Sequence, residues 1–154
     1  MPDRKQNPER TRRWGLGVAA LLGLLLIGGI LLARGAVGSG GVPPAFDNGL
    51  TLAAAQARAG EMKRPVLAFA TADWCGPCQV FKRGALRDAG VRREIVARTV
   101  PVYLDVDENK EVAGRLKVFS IPALVIVRDG SPVAKLEGVR SAGEVVAWLK
   151  EVAP

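Results

Sequence analysis

A run of 20 uncharged residues, from Trp14 to Ala33, constrains this chain of 154 residues more than any other feature. It holds eight leucines and five glycines, and Arg34 closes it. As a helix it would be roughly 30 Å long, which matches the hydrocarbon core of a bilayer. Glycines weaken a helix in water, but membrane helices tolerate them. The run therefore predicts a single transmembrane helix over residues 14–33, with room for one domain beyond it.

The charges that flank this run predict its orientation. Residues 1–13 carry five Lys and Arg against two acidic residues, whereas Arg34 is the only basic residue close behind the run. The positive-inside rule then predicts a cytoplasmic tail at 1–13 and sends the rest of the chain across the membrane. Residues 34–46 are rich in Gly and Pro and read as a linker. Residues 47–154 read as a domain facing the periplasm or another extracytoplasmic space.

Two other interpretations of the run stay open. A cleaved signal peptide has a shorter apolar region, usually about 7–15 residues, although Ala-Val-Gly at 36–38 is a passable small-x-small cleavage site. The Arg12-Arg13 pair is also compatible with a twin-arginine export signal. All three interpretations direct the chain to a membrane.

The absence of histidine and the presence of only two cysteines exclude several kinds of site. Ser-His and Cys-His nucleophile pairs need a histidine, and so does a His-ligated metal. Two cysteines are too few for a four-thiolate zinc site, so no metal is expected. The net charge of +7 does not form a basic patch with interleaved aromatic residues in the domain, which argues against a nucleic-acid partner.

From residue 47 onward, helical and strand patterns alternate. Thr51 is a plausible N-cap for the first helix, and Ser141 with Glu144 forms a capping-box pattern that opens the last one. An Asp-Gly pair at 129–130 predicts a hairpin turn. The order predicts a central sheet of mixed direction with helices on both faces. The predicted helices are 52–62, 79–89, 91–98, 110–117 and a last one through 152, and the predicted strands are 66–70, 100–106, 123–127 and 133–137.

The sequence Asp-Trp-Cys-Gly-Pro-Cys at 73–78 is the stretch that carries chemistry, because it directly follows a buried strand and opens a helix. Two residues between the cysteines let both sulfurs lie on the first turn. Cys75 would lie at the helix N-terminus, where unpaired N–H groups and the macrodipole favour a thiolate and lower the pKa of the thiol. Cys78, one turn deeper, suits a shielded resolving thiol. Pro77 would fit in the first turn, where its missing N–H costs little.

Other uses of a Cys-x-x-Cys pair fit less well. No further Cys or His could complete a zinc site, and Gln79 stands where a c-type haem site needs His. A purely structural disulfide more often closes a long loop, for which the gain in chain entropy is larger. The pair therefore predicts a redox function.

The Trp-Cys-Gly-Pro-Cys sequence at 74–78 resembles the active-site motif of the thioredoxin family. Ile121-Pro122 follows Ser120 and precedes a strand, as the family's cis-proline does, and Gly138 matches a family glycine. The resemblance covers roughly Leu50 to Val152 and implies an α/β thioredoxin-like fold. It implies Cys75 and Cys78 as the catalytic pair, supported by Trp74, Gly76 and Pro77, with Ile121 and Pro122 docking the substrate. It also implies no cofactor besides the Cys75–Cys78 disulfide.

The segment from Lys63 to Leu67 and the Asp-Val-Asp sequence at 105–107 are more similar to exported, membrane-linked members of the family. That similarity implies that exported proteins with disulfides are the substrates and that a membrane thiol carrier supplies the electrons. Gly76-Pro77 resembles the reducing members, which favours a reductase over an oxidase or isomerase. A non-catalytic binding module is a further alternative.

One departure from the family concerns the proton acceptor for Cys78. Thioredoxins usually carry a buried Asp on the strand before the motif and a partner Lys on the next strand. The matching positions here are Ala68 or Phe69, depending on a one-residue shift, and Tyr103. The acceptor is therefore expected to be missing, which affects the rate and the redox equilibrium and leaves the reaction class unchanged.

Overall fold

The structure is a computed structural model that describes residues 41–154. The predicted cytoplasmic tail at 1–13, the predicted anchor at 14–33 and most of the predicted linker at 34–46 lie outside these residues. Within residues 41–154, no helix combines the length and the apolar character that crossing a membrane requires. Ala45 and Phe46, at the end of the predicted linker, are buried in the core, where the Phe46 ring lies 5.5 Å from that of Phe69.

Five helices, one short 3₁₀ turn and four strands follow one another along the described chain. The elements are α1 (Leu52–Met62), β1 (Val66–Thr71), α2 (Gly76–Arg83), the 3₁₀ turn (Ala85–Arg87), α3 (Ala89–Arg98), β2 (Val100–Asp105), α4 (Lys110–Arg115), β3 (Ala123–Arg128), β4 (Ser131–Glu137) and α5 (Ala142–Val152).

The sheet has the strand order β2-β1-β3-β4. Strand β1 pairs with β2 in parallel and with β3 in antiparallel, and β3 pairs with β4 as a hairpin through the predicted turn at 129–130. The predicted mixed sheet is therefore confirmed. Every residue of β1 is buried, because the strand is central in the sheet and is covered on both faces.

Successive side chains of β1 enter two different cores, as the period of two in a strand requires. Leu67 and Phe69 face α2, α3 and α5, whereas Ala68 and Ala70 face α1 and α4. Helix α1 packs through its small residues Ala55 and Ala59. Helices on both faces were predicted, and this arrangement confirms them.

The prediction of one helix over 79–89 is wrong at both ends. Helix α2 begins at Gly76, because Cys75 caps it, and ends at Arg83, because Gly84 adopts a non-helical conformation with ψ near −111°. A 3₁₀ turn follows, and Asp88 then caps α3 by accepting hydrogen bonds from two backbone N–H groups. Within α2, Phe81 is buried and Val80 is exposed.

Candidate functional site

The two cysteines occupy the positions that the motif predicts. Cys75 is the N-cap of α2, and its Sγ accepts a hydrogen bond from the backbone N–H of Cys78 at 3.2 Å. The two sulfurs are joined in a disulfide, with the Cα atoms 5.2 Å apart. Pro77 lies in the first turn, as predicted. Because the Cys78 N–H and the positive end of the helix dipole lie at the Cys75 sulfur, they would stabilise a thiolate there.

Burial distinguishes the two sulfurs. Cys78 is completely buried, whereas Cys75 keeps 4 % of its surface accessible. Both pack in a small apolar cluster with Ala72, and the side chains of Val106 and Ile121 border it. An incoming disulfide can therefore reach Cys75 more readily than Cys78, which is the order of attack expected for a nucleophile and a resolving thiol.

Polar contacts hold the loop that carries the motif. The side-chain amide of Gln79 donates to the carbonyl oxygens of Ala72 and Asp73, at 3.3 and 3.1 Å. The Trp74 Nε1–H donates to Asp107 Oδ2 at 2.6 Å. These bonds fix the approach from β1 into α2 and tie Trp74 to the loop that follows β2.

The Ile121-Pro122 peptide bond is cis, as the resemblance implied. The Ile121 carbonyl oxygen lies 3.9 Å from Cys75 Sγ. Gly138, which follows β4 with a φ of 79°, donates its N–H to the Pro122 carbonyl oxygen at 2.8 Å. This bond joins the end of the hairpin to the proline loop, so two distant segments of the chain position Ile121 beside the nucleophile.

An open apolar groove of about 570 Å³ adjoins Cys75. Four of the five residues predicted to support the site or dock the substrate line it, namely Trp74, Gly76, Pro77 and Ile121, whereas Pro122 is buried and does not line it. Phe119 also lines it, with 87 % of its surface exposed, and Lys135 Nζ lies 5.5 Å from the centroid of its ring. Phe119 was missed, although an aromatic residue in the loop just ahead of Ile-Pro could have drawn attention to it.

A family model for the thioredoxin-like domain matches residues 52–153. The chain belongs to the thioredoxin-like domain family. Thioredoxin from Mycobacterium tuberculosis is 35 % identical over 95 residues, which cover 59 % of this chain and 76 % of that protein. The structure of a thioredoxin from Thermus thermophilus is 31 % identical, with a TM-score of 0.59, over 66 % of this chain and 82 % of that one. The oxidised C-terminal domain of DsbD from Neisseria meningitidis is 25 % identical, with a TM-score of 0.57, over 64 % and 90 %.

This thioredoxin-like protein is a thiol-disulfide oxidoreductase, because its relatives are thioredoxins and its cysteine pair forms the disulfide that this reaction needs. Thioredoxins work through such a disulfide on protein substrates. Within residues 41–154, no group of three or more His, Cys, Asp and Glu could hold a metal ion. The individual roles of Trp74, Gly76, Pro77, Ile121 and Pro122 stay predictions.

The thioredoxin-like fold shows which residue takes the place of the family's buried Asp. Phe69 pairs in register with Tyr103 and faces α2, whereas Ala68 faces α1, so Phe69 is the matching position. The rings of Phe69 and Tyr103 meet edge to face at 6.0 Å. The expected carboxylate is therefore replaced by an aromatic pair.

A buried cation near this aromatic pair was missed by the sequence analysis. Lys82 of α2 has a side chain only 1 % exposed. Its Nζ donates to the Tyr103 hydroxyl at 2.5 Å and lies 3.6 Å from Asp73 Oδ1. A lysine among helical surface residues gives no warning of burial, but its spacing of four from Cys78 puts the two residues on one helix face.

Proposed function

We propose that this protein is a membrane-tethered reductase of disulfides in exported proteins. The observation that carries the proposal is the Cys75–Cys78 disulfide at the N-terminus of α2, beside an open apolar groove. The 20-residue uncharged run ahead of the domain supports the membrane part.

The reaction that the geometry supports has two exchange steps. In the first, the Cys75 thiolate attacks one sulfur of a substrate disulfide; a Cys75–substrate bond forms, and the other substrate sulfur leaves as a thiolate. In the second, the Cys78 thiolate attacks Cys75; the Cys75–Cys78 bond forms, and the second substrate sulfur leaves. The substrate gains two electrons, and the two leaving thiolates take up the protons that the two cysteines release. The backbone of Ile121 offers pairing groups to an extended substrate segment.

The reducing direction is supported by Gly76-Pro77, which resembles the reducing members of the family. A reductase must be reduced again after each turnover. No flavin or nucleotide motif is found in the sequence, so we infer that a thiol carrier in the membrane supplies the electrons. The same chemistry run in reverse would make the protein an oxidase, and repeated exchange would make it an isomerase.

Equilibration with glutathione tests the direction of the thiol-disulfide exchange. The full chain is incubated in mixtures of reduced and oxidised glutathione, quenched with an alkylating reagent and resolved by gel shift. A reductase pair should be mostly disulfide in a buffer poised at about −180 to −210 mV, because its potential is more negative than that. A pair that stays dithiol in this buffer would exclude a reductase and favour an oxidase.

The redox state of Cys75 and Cys78 in intact membranes tests the same proposal where the protein is proposed to act. Acid quenching followed by alkylation should find Cys75 and Cys78 mostly as the dithiol, with the Cys75→Ser and Cys78→Ser variants marking the position of single-thiol bands. A pair trapped mostly as disulfide contradicts net reduction. Insulin reduction by the wild type, and none by Cys75→Ser, separates the enzyme from a module that only binds.

A further inference from the structure

Lys82 lies on the active-site helix with its charge inside the protein. The residue is fully buried, and its partners come from two other parts of the chain: Tyr103 on β2, and Asp73 in the loop before α2. The ammonium also lies 5.0 Å from the centroid of the Tyr103 ring. Lys82 is thus held by one hydrogen bond, one cation–π contact and one ion pair with a carboxylate that is 71 % exposed.

Such an arrangement is a costly way to fill a core position. Removing an ammonium from water costs several kcal/mol unless its partners compensate, and apolar residues of similar volume are often neutral or stabilising in its place. The neighbouring core residues Phe69 and Phe81 show that this face accepts apolar side chains. Stability alone therefore gives little reason for a lysine at position 82.

The position of Lys82 relative to the two sulfurs gives a reason. Lys82 follows Cys78 by four residues, so the two side chains are neighbours on one face of α2, about 6 Å apart along the axis. Both Cys78 and Lys82 are completely buried, so little water separates or screens them. Cys75 keeps part of its surface accessible to water, so a charge at Lys82 is screened less toward Cys78 than toward Cys75.

We propose that Lys82 is a positioning residue for the resolving step, in which its ammonium stabilises the buried Cys78 thiolate. While Cys75 is bonded to the substrate, Cys78 is a thiol, and it must lose its proton to solvent before it can attack. The ammonium favours the thiolate that results, and Lys82 itself neither gains nor loses a proton. The Cys75–Cys78 bond then forms as the Cys75–substrate bond breaks, with the electron pair leaving on the substrate sulfur. The Tyr103 hydroxyl and the Asp73 carboxylate hold the ammonium in place.

This role differs from that of a carboxylate on the sheet, because a cation stabilises the product of proton loss and a carboxylate accepts the proton. The inference rests on the exchange chemistry alone and holds for either direction of electron flow. A failure of the reductase proposal would therefore leave it intact.

A dithiobis-nitrobenzoate reagent separates the two steps, because each step releases one coloured thiolate. The fully reduced full chain is mixed with the reagent in a stopped-flow instrument over a range of pH. In Lys82→Met, which keeps the length of the apolar stem and removes the charge, we expect the second release to be about tenfold slower near neutral pH. The first release should stay within about twofold of the wild type. The difference in the second step should shrink at high pH, where Cys78 ionises without the cation.

Two matched variants separate charge from structure. Lys150→Met removes an exposed lysine of α5 and makes the same change in net charge, so both releases should be unchanged. Tyr103→Phe removes the hydroxyl that holds Lys82 to β2 but keeps the charge, so its second release should be slowed less than that of Lys82→Met. A second step in Lys82→Met as fast as in the wild type would overturn the proposal. So would an equal slowing of both steps in Lys82→Met, because that would indicate a structural role.

A measurement on the wild type keeps the proposal testable if Lys82→Met does not fold. In protein labelled with ¹³C at the lysine Cε, the Lys82 signal of the dithiol form should shift with pH as Cys78 ionises, and the disulfide form should show no such step. A Lys82 signal with the same pH profile in both forms would overturn the proposal.

Discussion

The Trp74 indole is the side chain that most directly shapes the entrance to the cysteine pair. It is 72 % exposed, and the hydrogen bond from Nε1 to Asp107 holds it against the loop after β2. An exposed aromatic ring loses little solvent contact by turning, so this bond to a charged acceptor has a large share in fixing its orientation. The orientation decides whether the ring forms a wall of the groove beside Cys75.

Replacement of Asp107 by Ala is therefore expected to weaken protein binding. The KM for a protein disulfide should rise about threefold to tenfold, because an exposed charge-assisted hydrogen bond contributes on the order of 1 kcal/mol. The kcat should change by less than twofold, since no reacting atom is touched. Steady-state insulin reduction measures both constants. Asp107→Asn keeps an oxygen that can accept from Nε1 and should recover most of the loss, and an equal loss in both variants would rule out this role of the bond.

For individual residues, the sequence predicts the positions that a local motif determines. The places of Cys75 and Cys78 follow from the motif, and the cis bond at Pro122 follows from its resemblance to the family. Lys82 and Phe119 could not be placed in the same way. Burial of a lysine depends on partners 21 and 9 residues away, and the exposure of a phenylalanine depends on which loop borders the groove.

Helix α5 shows how well a local pattern can define an element. Ser141 Oγ accepts from the N–H of Glu144, while the Glu144 carboxylate accepts from the N–H and hydroxyl of Ser141, at 2.9 and 2.6 Å. These are the reciprocal bonds that the capping-box pattern predicts. The hydrogen bonds from the Ser141 side chain and backbone, aided by Arg140, lower the pKa of Glu144 below its ordinary value.

The lowered pKa of Glu144 makes the stability of α5 depend on pH. The folded state favours the charged carboxylate of Glu144. Its contribution to the stability of the protein is therefore fully present above the ordinary pKa of about 4.5, and it is lost as the pH falls through the lower pKa of the folded state. Glu144→Gln should therefore be less stable than the wild type at pH 7, and the difference should close in acid. Urea unfolding at a series of pH values measures it. Glu151→Gln, at the other end of α5, should show no loss at pH 7, because a negative charge there opposes the helix dipole. A difference in stability between the wild type and Glu144→Gln that widens in acid would contradict a lowered pKa at Glu144.

Gly138 tests how the hairpin is joined to the proline loop. Its φ of 79° is unfavourable for any residue with a Cβ, although no atom would crowd that Cβ. Gly138→Ala should therefore cost about 1–2 kcal/mol in the free energy of unfolding, through the backbone alone. Gly143→Ala, at an equally open position within α5, should instead gain about 0.5–1 kcal/mol. Denaturant unfolding of both variants measures the contrast, and equal effects of the two substitutions would show that φ at Gly138 is not the cause.

Element boundaries were predictable where a cap or turn lies in the local sequence, and otherwise were not. The bounds of α1 and the C-terminal end of α5 agree with the prediction. The end of α2 differs from the predicted helix end, because the apolar pattern continues past Gly84 into the 3₁₀ turn and Leu86 stays buried there. Hydrophobic spacing alone cannot distinguish a helix from a helix followed by a tighter turn, since both bring Leu86 to the same core.

For the whole molecule, the distribution of charge is the basis of the topology proposal. Of the net charge of +7, +3 lies in residues 1–13, +1 at Arg34 and +3 in the remainder, which holds 16 basic and 13 acidic residues. The domain is thus nearly balanced, and the basic excess is concentrated next to the apolar run. A positive cluster on one side of such a run favours retention of that side in the cytoplasm.

The topology proposal predicts where the domain is labelled. In a full chain with Cys75→Ser and Cys78→Ser, the exposed Lys150→Cys position should react with a membrane-impermeant maleimide in intact cells with a permeabilised outer envelope, and the protein should sediment with membranes. When the basic residues of 1–13 are replaced by Ser and lysines are added after Arg34, labelling should fall by about half or more, because the charge difference across the run is reversed. The same chain without Lys150→Cys gives the background. Labelling of Lys150→Cys only after lysis, or recovery of the chain in the soluble fraction, would contradict the proposal, whereas labelling that follows the charge would place the Cys75–Cys78 pair where exported disulfides form.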